Sequence, residues 1–243
     1  MPELLCLLTL VVCSVTILFM LKFFEKSGLY VYSAIAVVAS NIQVLKLTKY
    51  YLVAEPVALG TVLFSTTFAV DNILNEYFGE NAAKKGIWMN FSICLFFAIV
   101  MHIAITHPPV IQGDCINLHV ELRKMFSPTF ALLASSLIAY IISKYTDVLL
   151  FSALKKTFSG KYLGMRSLIS TTASTFIDNS IFSILAWIVF SDNPIPLSKL
   201  WMTYIFISSI IRLSIAAMCA PLVKLAGNFV VKKKVQTLDV GVV

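Results

Sequence analysis

Residues 166–190 read RSLISTTASTFIDNSIFSILAWIVF. At about 1.5 Å per residue, roughly 20 residues cross the ~30 Å hydrocarbon core of a bilayer, so this stretch is long enough to span one. Its first half is nevertheless polar. Ser167, Thr171, Thr175, Asn179 and Ser183 recur every fourth residue, and Ser170, Ser174 and Asp178 form a second row beside them. On a helix both rows fall on one side, with Leu168, Ile169, Phe176, Ile177, Ile184 and Leu185 largely away from them. A carboxylate at mid-helix costs roughly 2.5–3.5 kcal/mol on insertion scales. The polar face must therefore meet protein, water or a ligand. For the hydroxyls, a helix–helix seam and a ligand-lined path are both open readings. For Asp178 an intramembrane ionisable group points to function.

The whole chain fits that reading. Of its 243 residues 59% are hydrophobic and 13% charged, with mean hydropathy +0.89. This predicts an all-α polytopic membrane bundle with residues 1–243 forming one integral membrane domain. The net charge of +7 does not imply nucleic-acid binding, because the basic residues sit in loops and tail. Four of the five cysteines, Cys6, Cys13, Cys94 and Cys219, lie in apolar runs and only Cys115 in a loop, so no disulfide framework is expected. The opening MPELL has no Lys or Arg, which predicts a retained first helix and not a cleaved signal.

Seven apolar segments are expected, at 4–21, 29–45, 56–78, 87–105, 128–150, 167–190 and 200–226, followed by a basic cytoplasmic tail at 227–243. The longest connection, 107–127, holds the turn residues Pro108, Pro109, Gly113 and Asp114. Segment three is the second polar crossing. Thr67, Asp71 and Asn75 are spaced by four, as are Asn72 and Glu76, while Asp71 and Glu76 diverge by about 140° around a helix. Gly79 suits the end of that helix, and Lys84 or Lys85 is the expected partner if Glu76 is an interfacial carboxylate. Asn41 in segment two suits either a helix–helix hydrogen bond or a ligand contact. Ala131, Ser135 and Ala139 predict a close-packed seam in segment five. Lys144 and Asp147, at i and i+3, are expected to pair with each other. Arg212 calls for a carboxylate, with Asp178 or Asp71 as candidates. Segments three and six each carry an Asp-Asn pair after a Ser/Thr-rich run and cross in opposite directions, which suggests a three-helix inverted repeat.

No G-x-x-x-x-G-K-[ST] loop, H-E-x-x-H, G-x-S-x-G or C-x-x-C is present. His107, Cys115 and His119 share a loop, but their spacing matches no standard zinc pattern. Neither a metal, nor a cofactor, nor an enzymatic activity is expected. Paired charges and amides at mid-membrane are the inventory of a small-molecule carrier.

The polar positions resemble those of the bacterial queuosine precursor transporter family, also grouped as vitamin uptake transporters. The resemblance covers 40–221. It is carried by Ser40-Asn41 with Lys46, by Gly60-Thr61 and Phe64, and by Asp71-x-x-x-x-Glu76-x-x-Gly79 followed by Lys84 or Lys85. It continues through Asp147, Phe151, Leu154, Arg166, Ser170-Thr171 and Asp178-x-x-x-Phe182 to Arg212 and Pro221. Ser143 stands where the family pattern leads one to expect Gln, and Arg212 where Lys is expected. The resemblance implies uptake of deazaguanine bases, either queuine or its cyano and aminomethyl precursors. Substrate would bind between segments three and six. The candidate substrate-binding residues are Asp178, Asp71, Asn41, Asn72, Glu76, Ser170, Thr171, Ser174, Asn179 and Arg212. Asp147, Lys144, Lys85 and Arg166 are candidate coupling or structural charges. Phe64, Tyr77, Phe176 and Phe182 offer aromatic faces for stacking or for packing. The expected partners are a nucleobase-like small molecule and the lipid bilayer, with no nucleic acid and a homodimer as one arrangement. The rival readings are a membrane subunit served by a separate ATPase and a membrane-embedded enzyme.

Orientation follows from the positive-inside rule. One set of loops holds Lys22, Lys26, Lys84, Lys85, Lys155, Lys156, Lys161, Arg166, Lys224 and Lys232–Lys234, and the other holds Lys46, Lys49, Arg123, Lys124 and Lys199. The first set is predicted to face the cytoplasm of a bacterial inner membrane, with the N-terminus outside and Lys232–Lys234 on anionic headgroups. A C-terminal reporter that fluoresces only in the cytoplasm is expected to fluoresce; an external readout would overturn the seven-segment map.

Overall fold

The computed structural model describes residues 2–51, 57–110, 115–126, 130–190, 196, 201 and 205–240; for 130, 131, 207 and 231–240 it describes the backbone alone. The contacts of Ala131, the turn at Gly113-Asp114, Lys199, and the headgroup anchoring expected of Lys232–Lys234 lie outside the described residues or side chains.

The first two expected segments are two arms of one element, α1 (Pro2–Gln43), broken at Glu25 with φ 54° and ψ −136°. A straight helix of 42 residues would be about 63 Å long. Here the amide of Tyr51 instead donates to Glu3 Oε1 at 2.6 Å, so the chain has doubled back. Gly28 makes the tight corner possible, because a Cβ there would stand 2.5 Å from the Met20 carbonyl oxygen. Leu10, Cys13, Ile17 and Leu21 of the first arm and Leu29, Tyr32, Ala36 and Val37 of the second are buried. Leu4, Leu8, Val11, Val15 and Phe19 remain outward, the pattern of a lipid-facing side.

A two-residue antiparallel pair, β1 (Leu47–Thr48) with β2 (Val57–Ala58), then brings the chain to α2 (Gly60–Ile73). Gly60 lies directly against the Ser40 carbonyl. Beyond Ile73 the helix widens into a π-helical turn, Leu74–Phe78, and stops at Gly79, whose φ of 91° suits a residue without a Cβ. With its π turn α2 is 19 residues, roughly 28 Å at 1.5 Å per residue, enough for one crossing. α3 (Glu80–Thr106) is largely outward-facing. The connection 107–127, expected to be turns, contains a short helix, α4 (Cys115–Phe126), none of whose residues is buried.

α5 (Phe130–Thr157) runs past residue 150, where the sixth apolar stretch had not yet begun, and reaches Lys155 and Lys156 in its last turn. Ser159, Gly160 and Tyr162, all at positive φ, turn the chain into α6 (Leu163–Ile184). α6 also ends in a π-helical turn, Leu185–Val189. α7 (Ile207–Val240) continues helical well past residue 226, through part of the expected tail, with Pro221 inside it. α2 packs on α1 and α7, and α6 packs on α5 and α7. Five of these helices are long and apolar enough to cross a membrane. Counting α1 as two arms and adding α2 gives seven crossings, so the protein is an all-α, multi-pass membrane bundle.

The polar rows of α6 fall where the sequence placed them. Ser167, Ser170, Thr171, Ser174, Thr175, Asp178, Asn179 and Ser183 are all buried, whereas Ile169, Phe176 and Ile184 are exposed. In α5, Ser135 and Ala139 are buried as a close-packed seam requires.

The α1 corner generates a test. Gly28→Val forces three carbons into a space where even one would overlap backbone. Overpacking of this kind costs about 1–3 kcal/mol. Thermal unfolding of the purified protein in detergent is expected to shift downward, and an unchanged transition would mean the arms do not meet at Gly28.

Candidate functional site

α2, α5, α6 and α7 enclose one continuous polar seam. α2 and α5 run in the same direction and α6 runs against both, so contacts climb one pair of helices as they descend the other. Three layers follow along the bundle axis.

The central layer is the most sealed. Lys144 Nζ lies 2.7 Å from Asp71 Oδ2 and 2.7 Å from Thr67 Oγ1, and the two charged side chains are 0% and 1% exposed. The ammonium also sits 3.7 Å from the centroid of the Phe68 ring, within the range of a cation–π contact. The pairing expected between Lys144 and Asp147 is therefore not the one formed. Both residues face the seam, but the long lysine side chain reaches across to α2, where a carboxylate, a hydroxyl and an aromatic face answer it together. Asp147, also fully buried, instead accepts from Thr171 Oγ1 at 3.4 Å. Asn72 Nδ2 donates to Ser167 Oγ at 2.9 Å and Thr171 Oγ1 at 3.1 Å, which joins α2 to α6 directly.

On the side of the start of α2 lies a second ion pair. Arg212 Nη1 is 2.5 Å from Asp178 Oδ2, and Ser143 Oγ donates to Asp178 Oδ1 at 3.0 Å. Arg212 thus takes Asp178 of its two candidate partners. Its side chain is 17% exposed and that of Asp178 10%, so this pair is less sealed than the central one. Asn179 Nδ2 donates to Ser209 Oγ of α7 at 2.9 Å. Phe64 stands between the two pairs, its ring centroid 5.3 Å from Arg212 Cζ and 5.5 Å from Lys144 Nζ. The two Asp-Asn pairs of the sequence therefore converge on consecutive residues of α5: Asp178 on Ser143 and Asp71 on Lys144.

The third layer closes the other end. Glu76, in the π turn, accepts from both terminal nitrogens of Arg166 at 3.1 and 3.2 Å and pairs with Lys155 at 3.0 Å. This replaces the expected pairing with Lys84 or Lys85. Lys84 bonds Glu80 at 2.6 Å, and Lys85 is exposed. The reason lies in Gly79, which turns the chain so that α3 leaves in a new direction and carries its lysines off, while the ends of α5 and α6 come together beneath α2. Arg166 is held on its other side by the carbonyls of Lys161 and Gly160. Asn75, the residue before Glu76, bonds Ser152 at 3.0 Å and the Val148 carbonyl at 2.9 Å. Tyr77 donates to the Val223 carbonyl of α7 at 3.0 Å.

Of the remaining candidates, Ser170 and Ser174 are buried but bond back to the Ser167 and Ser170 carbonyls on their own helix. Asn41 is exposed in the last turn of α1 and makes none of these seam contacts. Phe176 is exposed beside Trp201. Sequence reading had not assigned roles to Thr67, Phe68, Ser152 or Lys155. The fourfold spacing of Thr67 with Asp71 was the signal for the first; the others had none. Among the described residues no cluster of three or more His, Cys, Asp or Glu side chains is arranged to hold a metal.

A multi-pass bundle with stacked ion pairs at its centre, joined by amide and hydroxyl bridges, is the architecture of a membrane carrier. Residues 58–226 match the family described as "Putative vitamin uptake transporter", and the chain belongs to that family. It is 31% identical over 209 residues to the "Probable queuosine precursor transporter" of Bacillus subtilis (strain 168), a match covering 85% of this chain and 86% of that one. No solved structure matches the chain. Family membership makes transport, and not catalysis, the role of the protein.

The central pair generates a test. Lys144→Met leaves Asp71 buried without its cation, which typically costs about 3–5 kcal/mol. The variant is expected to unfold at markedly lower temperature in detergent, and adding Asp71→Leu to it is expected to recover most of the loss. A single variant as stable as the parent would show the pair is not sealed.

Proposed function

We propose that this protein is a secondary uptake transporter for queuosine precursors, deazaguanine bases such as queuine and its cyano or aminomethyl forms, across the bacterial inner membrane. Residues 1–243 act as a single transport domain, with the N-terminus outside and the C-terminus in the cytoplasm. The substrate class rests on the relative from Bacillus subtilis. The observation that carries the site is the Asp178–Arg212 pair, the less sealed of the two mid-bundle pairs, with the Phe64 ring beside it.

The chemistry suits a guanine-like base. Its Watson–Crick edge offers an N–H and an amino group side by side, and an ionised carboxylate accepts both. Asp178 does so by exchanging Arg212 and Ser143 for the base, while Arg212 turns to a ring carbonyl. Phe64 provides a flat apolar surface for the ring. Deeper in the seam Asp71 Oδ1 and Asn72 Oδ1 are buried acceptors with no donor, and a donor-rich ligand would satisfy them. Ser170, Thr171, Ser174 and Asn179 line the same face of α6. In the proposed orientation the Asp178 layer lies on the outer half and the Glu76–Arg166–Lys155 layer closes the cytoplasmic end, so an entering base meets Asp178 before any sealed group.

Purified protein reconstituted alone into liposomes is expected to take up labelled queuine or one of its precursors. Dependence on an added ATPase would support the importer-subunit reading instead. In binding assays Asp178→Asn keeps the size of the side chain but offers one acceptor oxygen. Hydrogen bonds to charged groups contribute about 1.5–3 kcal/mol, so affinity is expected to fall about tenfold to a hundredfold. Near-normal affinity in folded Asp178→Asn would remove it from the site.

A further inference from the structure

Asp147 has no cation of its own. Its side chain is fully buried, Oδ1 receives only the 3.4 Å contact from Thr171, and Oδ2 has no hydrogen-bond partner. The charged groups that face it are Asp71 from α2 and Lys144 from its own helix. Lys144 is committed to Asp71 and Thr67. α6 presents the hydroxyls of Ser170 and Thr171, and the other mid-bundle cation, Arg212, is committed to Asp178. α3, on the other flank of α5, meets it through Trp88 on Tyr145. The two inner layers of the seam therefore hold three carboxylates, Asp71, Asp147 and Asp178, against two cations, Lys144 and Arg212. An uncompensated ion in such surroundings costs several kcal/mol.

We propose that Asp147 is a proton-binding site that couples substrate movement to the proton gradient, one proton entering with each substrate molecule. The inference rests on the transport reading above. A metal cation suits the site poorly, because it needs a cage of oxygens and would lie beside the Lys144 ammonium. A proton needs one carboxylate oxygen and a nearby acceptor, and the Ser170 hydroxyl lies beside the Asp147 carboxyl group. The link to substrate runs through Thr171. An ionised Asp147 takes the Thr171 hydroxyl hydrogen, and a protonated one releases it. Thr171 is at the same time the acceptor for Asn72, the amide that ties α6 to α2. It lies seven residues, about 10 Å, along α6 from Asp178 on the same buried face. The charge on Asp147 thus sets how tightly the substrate-bearing helix is held to its neighbour.

The test uses the full chain in proteoliposomes with labelled queuine or the precursor that the parent protein binds, and reads gradient-driven accumulation together with the pH dependence of substrate affinity. An inward proton gradient is expected to raise accumulation at least tenfold, and affinity is expected to fall as pH rises. Asp147→Asn is expected to lose both responses. Should that variant fail to fold, Asp147→Glu serves: it keeps a titrating group and is expected to displace the pH midpoint. A gradient response that survives in Asp147→Asn, an unmoved midpoint in Asp147→Glu, or accumulation driven by sodium and not by protons would each overturn the proposal. Absence of any substrate binding by the parent protein would instead overturn the transport reading, so the two failures are distinguishable.

Discussion

The structure depends on one constraint: a lysine ammonium and a carboxylate lie where neither water nor lipid headgroup reaches them. Two unit charges 4 Å apart attract by about 4 kcal/mol at an effective dielectric constant near 20. The effective penalty for removing each from water is several kcal/mol. The Asp71–Lys144 pair is tolerable because its surroundings add to the attraction. Thr67 accepts a further hydrogen bond from Lys144, and the Phe68 ring lies 3.7 Å from its nitrogen. In that arrangement α2 and α5 run in the same direction, and the long Lys144 side chain bridges them.

The remaining polar groups follow from that register. Once Lys144 is set against Asp71, a turn later on each helix brings Asn75 to Val148 and Ser152, and the ends bring Glu76 to Lys155. α6, running the other way, meets Asn72 with Ser167 and Thr171 and delivers Arg166 to Glu76. The π turn matters here. An extra residue in the turn re-aims the side chains after Ile73, and Glu76 and Tyr77 leave it toward α6 and α7 respectively. The end layer differs in kind from the centre. Lys155 is 36% exposed, so its pair with Glu76 exchanges with water, whereas breaking the central pair strands a charge. A carrier that opens and closes does so more cheaply at the end layer than through its middle.

Much of this was legible in the chain. The fourfold rows of α6 identify its buried face without any partner in view, because a row of polar side chains that includes a carboxylate is costly to turn toward lipid. The same reasoning picks out Asp71 and places Arg212 against a carboxylate. It fails where it treats pairing as local. Lys144 and Asp147 share a face of α5, yet the lysine bonds α2. Lys84 and Lys85 follow Glu76 closely in sequence, yet Gly79 turns them away and Glu76 takes Arg166, ninety residues on. Asn41 has the composition of a site residue but stands exposed at a helix end.

The sequence by itself determined the environment of each segment: which stretches cross, which faces are buried, and how many charges must be answered inside. These follow from transfer free energies, which act on residues one at a time and are summed along a helix. Only the tertiary structure decided who answers whom. A salt bridge or an amide–hydroxyl bond depends on atoms within about 3 Å, and the register and direction of neighbouring helices set those distances. The same register leaves Asp147 without a cation, a fact no spacing in the chain discloses.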